Sequence, residues 1–345
     1  AQGQVVFWGV GATNGVDEAE FRNAFVQSTT ASNYDPQSWT ALSIFDGNGP
    51  HVPGTSMTGN AFWTRDTTGR TRGGYTSGAE PIFPSFSQAN GVAVFDSDFL
   101  DNGGIANNFG GGVAPAVQRG ALISPRIDLS AAQDSVIAIN FFCQYRPFSV
   151  QELSVEFSID DGLTWMVSDD IQRLLPANTN VTVSGEVHWI LPQLITVSAN
   201  LTQCRIRFVF EGEYYYSALD DVSIETAPAY DLTIAPATAP SGVNHAPINL
   251  EENGRIIHIS GNKYIPYDNI DFNNPVNWAW GARIAQKGYE RVTAAEGARL
   301  ICQIDQFANN QTTIGAYYDT IYLEPTDTLL PNKGNALALV KEFAQ

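Results

Sequence analysis

The sequence predicts an all-β protein made of two sandwich domains. Short segments with alternating apolar side chains recur along the 345 residues, and turns rich in Gly, Asn and Asp separate them. A chain of this length favours two hydrophobic cores over one. Helical periodicity is scarce. Residues 16–27 show it, with Asp17 as a candidate N-cap, although this segment also fits an irregular lead into a strand.

The N-terminal domain is predicted to be a jelly-roll sandwich. Its predicted strands are residues 91–95, 135–145, 152–158, 186–191, 204–211 and 221–225. A stretch punctuated by Pro228, Pro236 and Pro240 then marks a domain boundary. The predicted domains are therefore residues 1–227 and 228–345, and the second has the strand pattern and size of an immunoglobulin-like sandwich.

The charge of the chain limits its partners. Acidic residues outnumber basic residues by 36 to 18, which gives a formal net charge of −18. Nucleic acid is not expected as a partner, because its phosphates require Lys and Arg, whereas divalent cations are compatible with this charge. No apolar run is long enough for membrane insertion. The chain begins with Ala, which we interpret as the mature end left by signal-peptide cleavage, so we expect a secreted protein.

Three cysteines leave at least one thiol free or paired between chains. Strand alternation places Cys204 on the same face as Ile206 and Phe208, and Cys143 on the same face as Phe141. Both faces are predicted to be core faces. Cys143 and Cys204 are therefore expected to be buried, either as free thiols or bridged to each other.

The segment FSIDDGLTW fits the Asp-box pattern of sialidases through Ser158, Asp160, Gly162, Thr164 and Trp165. This pattern forms a tight turn between two strands, and the Trp packs beneath the turn. Sialidases repeat the box on several propeller blades, whereas this chain contains it once and shows no repeat of propeller length. The motif is therefore interpreted as structural, and the chain as non-catalytic.

Clusters of acidic residues allow three interpretations. Asp96 and Asp98 follow one predicted strand, and Asp220 and Asp221 lie at the start of another. These carboxylates could be solvated turn residues, or they could be ligands of a structural Ca²⁺. Asp96 and Asp220 are also the one pair considered for a glycoside hydrolase, which needs two carboxyl groups about 5–10 Å apart.

Aromatic side chains in the loops are candidates for a glycan-binding face. Trp63, Tyr75 and Tyr215 lie in or beside segments rich in polar residues. Sugar binding requires exposed aromatic faces next to polar groups. Most Trp residues of a sandwich belong to the core, so both possibilities remain open for these positions.

Three segments in fixed order resemble a known family. They are RGALISPRIDLS (119–130), LSVEFSIDDGLTW (153–165) and CRIRFVFEGEYYYSALDDVSIE (204–225). This order resembles the jelly-roll modules of secreted Bacteroidetes proteins, similar to the "choice-of-anchor" and MAM or reelin-like domains. The resemblance implies adhesion, glycan binding or attachment to an enzyme.

The resemblance also implies a metal site and an export route. Several members of the family carry a structural Ca²⁺. The resemblance implies that its ligands in this sequence would be Asp220 or Asp221, together with Asp96 or Asp98. The segment PAYDLTIAP resembles the start of an adhesion-type immunoglobulin-like domain. Proteins of this kind are often substrates of the type IX secretion system.

Three short Asp-Ser/Thr-apolar sequences match the O-glycosylation pattern of the same phylum. Their acceptor residues would be Ser135, Thr320 and Thr328, and Thr328 is favoured because its surroundings have the composition of an exposed loop.

Together these observations predict a secreted, non-catalytic surface or matrix protein acting in adhesion or self-assembly, for example as a filament subunit joined by pairing of strand edges. Its expected partners are copies of itself, or a surface polysaccharide or protein. The alternative is a glycan-binding module of a larger secreted protein, and a glycoside hydrolase is the third candidate.

Overall fold

The structure is a computed structural model of the chain. It describes residues 5–46, 61–73, 83–101, 106, 117–133, 135–148, 151–175, 178, 180–191, 201–234, 256–257, 278–286, 288–308, 311–330 and 337–342. The chain divides into two compact units, unit 1 (Ala1–Ala227) and unit 2 (Pro228–Gln345). The predicted fold class, all-β, is confirmed in both units.

The helix predicted over residues 16–27 is much shorter than expected. Helix α1 covers only Val16–Ala19, and its N-cap is Gly15 in the left-handed conformation rather than Asp17. One helical turn is too short to be stable alone, so α1 depends on its packing against the sandwich. The end of the predicted helix forms part of a strand instead.

Unit 1 contains two six-stranded sheets. Sheet A is built from β1 (Val6–Gly9), β4 (Thr64–Asp66), β5 (Val92–Asp96), β7 (Ile137–Tyr145), β10 (Val183–Ile190) and β12 (Tyr216–Thr226). Its strand order is β10-β7-β12-β5-β4, and β1 pairs with the second half of β12. All of these pairings are antiparallel.

Sheet B is built from β2 (Val26–Ser28), β3 (Thr40–Asp46), β6 (Gln118–Ile123), β8 (Glu152–Ser158), β9 (Val167–Asp170) and β11 (Arg205–Gly212). Its order is β2-β3-β6-β11-β8-β9, and only β2 and β3 are parallel. From β5 to β8 and again from β10 to β12, consecutive strands alternate between the two sheets, as in jelly-roll sandwiches. Two further short helices, α2 (Ser97–Asp101) and α3 (Ile171–Leu174), follow β5 and β9.

The main core lies between the two sheets. Phe95 of sheet A stacks on Phe210 of sheet B with ring centroids 4.3 Å apart, and Phe141 meets Phe208 edge to face at 4.9 Å. Cys143 and Cys204 are both buried in this core, and both are free thiols. The alternative of a bridge between them is therefore not realised in the structure.

Unit 2 is also built from strands. They are β13 (Leu232–Ile234), β14 (Ile256–Ile257), β15 (Trp278–Gln286), β16 (Val292–Thr293), β17 (Arg299–Ala308), β18 (Gln311–Tyr322), β19 (Thr328–Leu329) and β20 (Leu337–Glu342). β15 pairs with β13, β14 and β20, while β17 and β18 form a long hairpin. Within the described parts of both units, none of the helices has the length and apolar character needed to cross a membrane.

Candidate functional site

Phe86 stands out on the surface of unit 1. Its side chain is 97% exposed, and no other large apolar side chain in the described residues reaches this value, since Leu163 follows at 74%. Ser85 and Ser87 flank it, and the three residues are called the Phe86 tip. A fully exposed Phe contributes nothing to a folded core, so its position requires another explanation.

Two consecutive carboxylates of β12, Asp220 and Asp221, hold the Phe86 tip in place. The backbone N–H of Phe86 donates to Asp221 Oδ2 at 3.0 Å. Ser87 Oγ lies 2.5 Å from Asp221 Oδ1 and 3.3 Å from Asp220 Oδ2. Ser85 Oγ donates to Asp220 Oδ2. Because four hydrogen bonds to carboxyl oxygens fix the tip, its backbone conformation is set within the chain itself.

A β-bulge explains how two neighbouring residues of one strand reach the same loop. β12 pairs with β7 as far as Asp220 opposite Phe142, and the pairing resumes at Ser223 opposite Asn140. Two residues of β12 therefore face one residue of β7, and Asp221 takes a φ of 53° in the left-handed region. In a regular strand, consecutive side chains point to opposite faces. The bulge removes that alternation at this point.

Asp220 is deeply buried and incompletely satisfied. The residue is 0% exposed, and its Oδ1 has no hydrogen-bond partner among the described residues. Burial is the largest influence on its carboxyl group, and with the nearby charge of Asp221 it raises the pKa to about 7, against the opposing hydrogen bond from Ser85. An acceptor atom without a donor inside a protein is costly, which marks this position as a candidate ligand site.

The loop that carries the Phe86 tip is anchored on both sides. Phe83 packs edge to face on Phe142 at 5.3 Å, within a small apolar cluster on the outer face of sheet A. Gln88 Nε2 donates to the carbonyl of Thr67 at 2.9 Å, and Asn90 Nδ2 donates to Glu20 Oε2 at 2.6 Å. Packing and hydrogen bonds on both sides of the Phe86 tip therefore attach this loop to the sandwich.

The four predicted metal ligands do not converge on one site, so that prediction is corrected. Asp96 pairs with Tyr216, four residues before Asp220 on β12, which separates the two backbones by at least about 13 Å. Asp96 accepts hydrogen bonds from the backbone N–H groups of Arg72 at 2.6 Å and Phe99 at 3.2 Å. Asp98 is 1% exposed in α2. No group of three or more His, Cys, Asp or Glu side chains is placed to hold a metal ion within the described residues.

The same separation affects the hydrolase hypothesis. A glycoside hydrolase needs its two carboxyl groups about 5–10 Å apart beside the scissile bond. The backbones of Asp96 and Asp220 lie at least about 13 Å apart along sheet A, and hydrogen bonds within the fold occupy both oxygens of Asp96. A hydrolase role for this pair stays a prediction.

The predicted glycan-binding aromatics are also corrected. Trp63 is 0% exposed, packs on Phe95 and donates from Nε1 to the carbonyl of Gly120 at 3.1 Å, so it belongs to the core. Tyr215 is 9% exposed, and the guanidinium of Arg146 lies 4.4 Å from its ring centroid. Neither ring offers a free face to a sugar. Tyr75 lies outside the described residues.

The Asp-box is a turn between β8 and β9. Gly162 N donates to Ser158 Oγ at 2.9 Å, and Thr164 N donates to Asp160 Oδ1 at 2.8 Å. The neighbouring Asp161 turns inwards and pairs with Arg205, which is 1% exposed, at 2.6 Å. The motif therefore stabilises the hairpin and its attachment to β11.

The three predicted O-glycosylation positions differ in exposure. Thr328 is exposed at the start of β19, whereas Ser135 and Thr320 are half-buried. Modification at these positions stays a prediction.

Sequence reasoning did not single out Phe86 as an exposed residue. The segment PSFSQ has no strand or helix period, and an aromatic residue in such a segment is as compatible with a core role as with an exposed one. A usable signal would have been the pair of small hydroxyl residues that flank the ring, because Ser favours loops and can bond to carboxylates.

The fold and the site define an all-β protein of two units, in which Phe86 is exposed and its backbone N–H is hydrogen-bonded to Asp221. No protein-family model and no curated protein matches the chain.

Similar solved structures include the carbohydrate-binding module TmCBM61 in complex with β-1,4-galactotriose, with 11% identity over 55% of this chain and 89% of that one, and a TM-score of 0.29. A cyclase from Fischerella sp. TAU has 14% identity over 56% of this chain and 87% of that chain, with a TM-score of 0.31. The K3 cleaved adhesin domain of Lys-gingipain from Porphyromonas gingivalis has 11% identity over 48% of this chain and 91% of that chain, with a TM-score of 0.24. At such low identities and TM-scores, these likenesses support no conclusion about function.

Proposed function

We propose that this chain is a secreted, non-catalytic adhesion protein, and that unit 1 binds a surface polysaccharide through the Phe86 tip. The observation that carries the proposal is the 97% exposure of Phe86 on a backbone fixed by Asp220 and Asp221. An aromatic ring is a large apolar surface for the C–H faces of sugar rings. Because the tip is already ordered, binding loses little conformational entropy.

The charge of the chain favours a neutral or cationic polysaccharide. A formal net charge of −18 repels polyanions. Like charges brought together at an interface oppose association. Uncharged glucans, mannans and galactans are therefore better candidates than alginate or polygalacturonate.

The Phe86→Ala variant should lose binding to its polysaccharide by about 10- to 100-fold, because full burial of a Phe side chain contributes about 1.5–3 kcal/mol. The measurement is depletion of the full chain from solution by a panel of insoluble neutral and acidic polysaccharides. Leu163→Ala is the matched control, since Leu163 is 74% exposed in the Asp-box turn, away from the tip.

Equal binding of the Phe86→Ala variant and the unchanged chain would contradict the role of the tip. If the unchanged chain ignores every polysaccharide but adheres to protein-coated surfaces in a Phe86-dependent way, the ligand class is wrong while the contact residue is right.

We also propose that a Ca²⁺ ion binds at Asp220 and Asp221, without Asp96 and Asp98. The specific observation is the buried Asp220 Oδ1, which has no hydrogen-bond partner in the part of the chain that the structure describes. Ca²⁺ prefers carboxylate and hydroxyl oxygens and completes its six to eight ligands with water. Asp220, Asp221 and Ser87 supply such oxygens within one cluster.

Removing Ca²⁺ with EGTA should lower the Tm of unit 1 by about 5 °C, relative to a Ca²⁺ concentration about 100-fold above Kd. The Asp220→Asn variant should lose this response, whereas Asp96→Asn should keep it. Differential scanning calorimetry of the full chain measures both. A Tm that is insensitive to EGTA in the unchanged chain would refute the ion, and a response retained by Asp220→Asn would refute its position.

A further inference from the structure

β10 forms one edge of sheet A and is the longest described edge strand of unit 1. Its eight residues pair with eight consecutive residues of β7, from Val183 opposite Tyr145 to Ile190 opposite Ala138, without a bulge. In the described part of the chain, β10 has a strand neighbour on this side only. The other described edge strands of unit 1, β1, β2, β4 and β9, contain only three or four residues.

β10 also lacks the features that usually protect an edge from pairing. Natural edge strands carry Lys, Pro or bulges that block a further strand. β10 reads VSGEVHWI, in which Glu186 is the one residue with a formal charge, and it contains no Pro. By contrast, β9 ends in Asp169 and Asp170.

The hydrogen bonds to β7 show which backbone groups of β10 face outwards. Leu191, directly after β10, donates its N–H to the carbonyl of Ile137 at 2.9 Å. In an antiparallel pair, the N–H and C=O groups of successive residues point alternately towards the two sides. The odd-numbered residues therefore bond to β7. The outward groups belong to Ser184, Glu186, His188 and Ile190.

The side chains of these four residues share the outer face of sheet A. Val187 and Trp189 point into the core, where they are 1% and 2% exposed. Strand alternation then directs the side chains of Glu186 and His188 to the opposite face. A strand added at this edge would place its own side chains beside them.

We propose that the β10 edge is an interface with a second copy of this chain, paired antiparallel about a two-fold axis at Val187. Such an axis places Glu186 opposite the second copy's His188, and His188 opposite the second copy's Glu186. It also places Ser184 and Ile190 opposite each other in both directions. All four outward residues then pair, which gives about eight backbone hydrogen bonds between the copies.

The residues themselves select this register. An axis at Glu186 would bring two carboxylates directly opposite each other, which is destabilising, and would leave Ile190 without a partner in the strand. An axis at His188 would leave Ser184 without one. Only the axis at Val187 uses every outward group and sets each carboxylate against an imidazole, so the surface is self-complementary.

The Glu186→Pro variant tests the interface directly. Pro removes the outward N–H of Glu186 and leaves the inward bonds to β7, which is the arrangement in which edge strands tolerate Pro. Light scattering of the full chain at increasing concentration should show twice the monomer mass for the unchanged protein and the monomer mass for Glu186→Pro. The thermal unfolding of Glu186→Pro should otherwise resemble that of the unchanged chain.

Glu186→Lys is the second variant, in case Glu186→Pro does not fold. It keeps the backbone groups but places an ammonium opposite each imidazole, and should raise the dissociation constant of the dimer about tenfold or more. A monomeric unchanged chain, a dimer that persists in both variants, or open assemblies larger than a dimer would each overturn the proposal. Both variants should still bind polysaccharide, so this test is independent of the Phe86 tip.

Discussion

Replacing Asp161 with Ala will lower the free energy of unfolding of unit 1 by about 3 kcal/mol, because it leaves the buried guanidinium of Arg205 without its counter-ion. Arg205 is 1% exposed and pairs with Asp161 at 2.6 Å. It also donates to the carbonyls of Asp35 at 3.0 Å and Ser124 at 2.5 Å. Because these two bonds remain in the variant, the expected loss of free energy of unfolding is at the lower end of the range for breaking a buried ion pair.

Asp169→Ala is the matched control for this substitution. Asp169 pairs with Arg173 in the same unit, but the side chain of Arg173 is 53% exposed. Exposed pairs contribute less than about 1 kcal/mol. Urea unfolding of the two variants beside the unchanged chain measures the difference, and equal losses would show that burial of Arg205 does not decide the effect.

The Asp161 contribution should also depend on pH. The hydrogen bonds from Arg126, followed by the one from Arg205, hold the pKa of Asp161 below its ordinary value. A carboxyl group with a lowered pKa in the folded state stabilises the fold above its unfolded pKa of about 3.9, and this stabilisation is lost as the pH falls through the folded pKa. The difference between the unchanged chain and Asp161→Ala should therefore shrink below about pH 4. A constant difference down to pH 2 would contradict this assignment.

Substituting Gly120 with Ala should destabilise unit 1 by about 3 kcal/mol or more, because no room exists for a methyl group at this point of β6. The new Cβ would lie 2.4 Å from the carbonyl oxygen of Ala61 and 2.6 Å from a ring carbon of Phe95. Trp63 is tied to the same place through its bond to the Gly120 carbonyl. The segment that contains Ala61 and Trp63 therefore cannot move away from Gly120 without exposing the indole of Trp63.

Gly185→Ala in β10 is the control, since it makes the same change in another strand. Its nearest neighbour would be Leu175 Cδ1 at 3.2 Å, the end of a flexible side chain, so we expect an effect within about 1 kcal/mol. Urea unfolding at low protein concentration measures both variants. A Gly120→Ala chain as stable as Gly185→Ala would show that the crossing segment yields easily.

Strand positions were predictable where alternation is regular. The strand predicted over residues 152–158 matches β8 at both ends, and the strand predicted over 135–145 differs from β7 only at its start. β12 begins at Tyr216, whereas the prediction began at residue 221. The bulge at Asp221 interrupts the alternation of apolar and polar side chains, so the alternation could not reveal that residues on both sides of Asp221 belong to one strand.

The site was less predictable, because it depends on contacts between distant parts of the chain. Asp220 and Asp221 were identified from composition, but their partners Ser85 and Ser87 lie more than 130 residues away. No local sequence pattern indicates that these two segments come into contact. For the same reason, Trp63 and Phe86 could not be separated into core and surface residues from their immediate neighbours.

The two buried thiols of unit 1 have a consequence for how the protein is made. Burial raises the pKa of Cys143, and burial with the charge of Asp128 raises the pKa of Cys204 to about 12. Oxidants and disulfide-exchange enzymes act on thiolates, which neither residue forms at neutral pH. Because both cysteines of unit 1 are free thiols, no disulfide holds its fold, and the fold should persist unchanged in strong reductant.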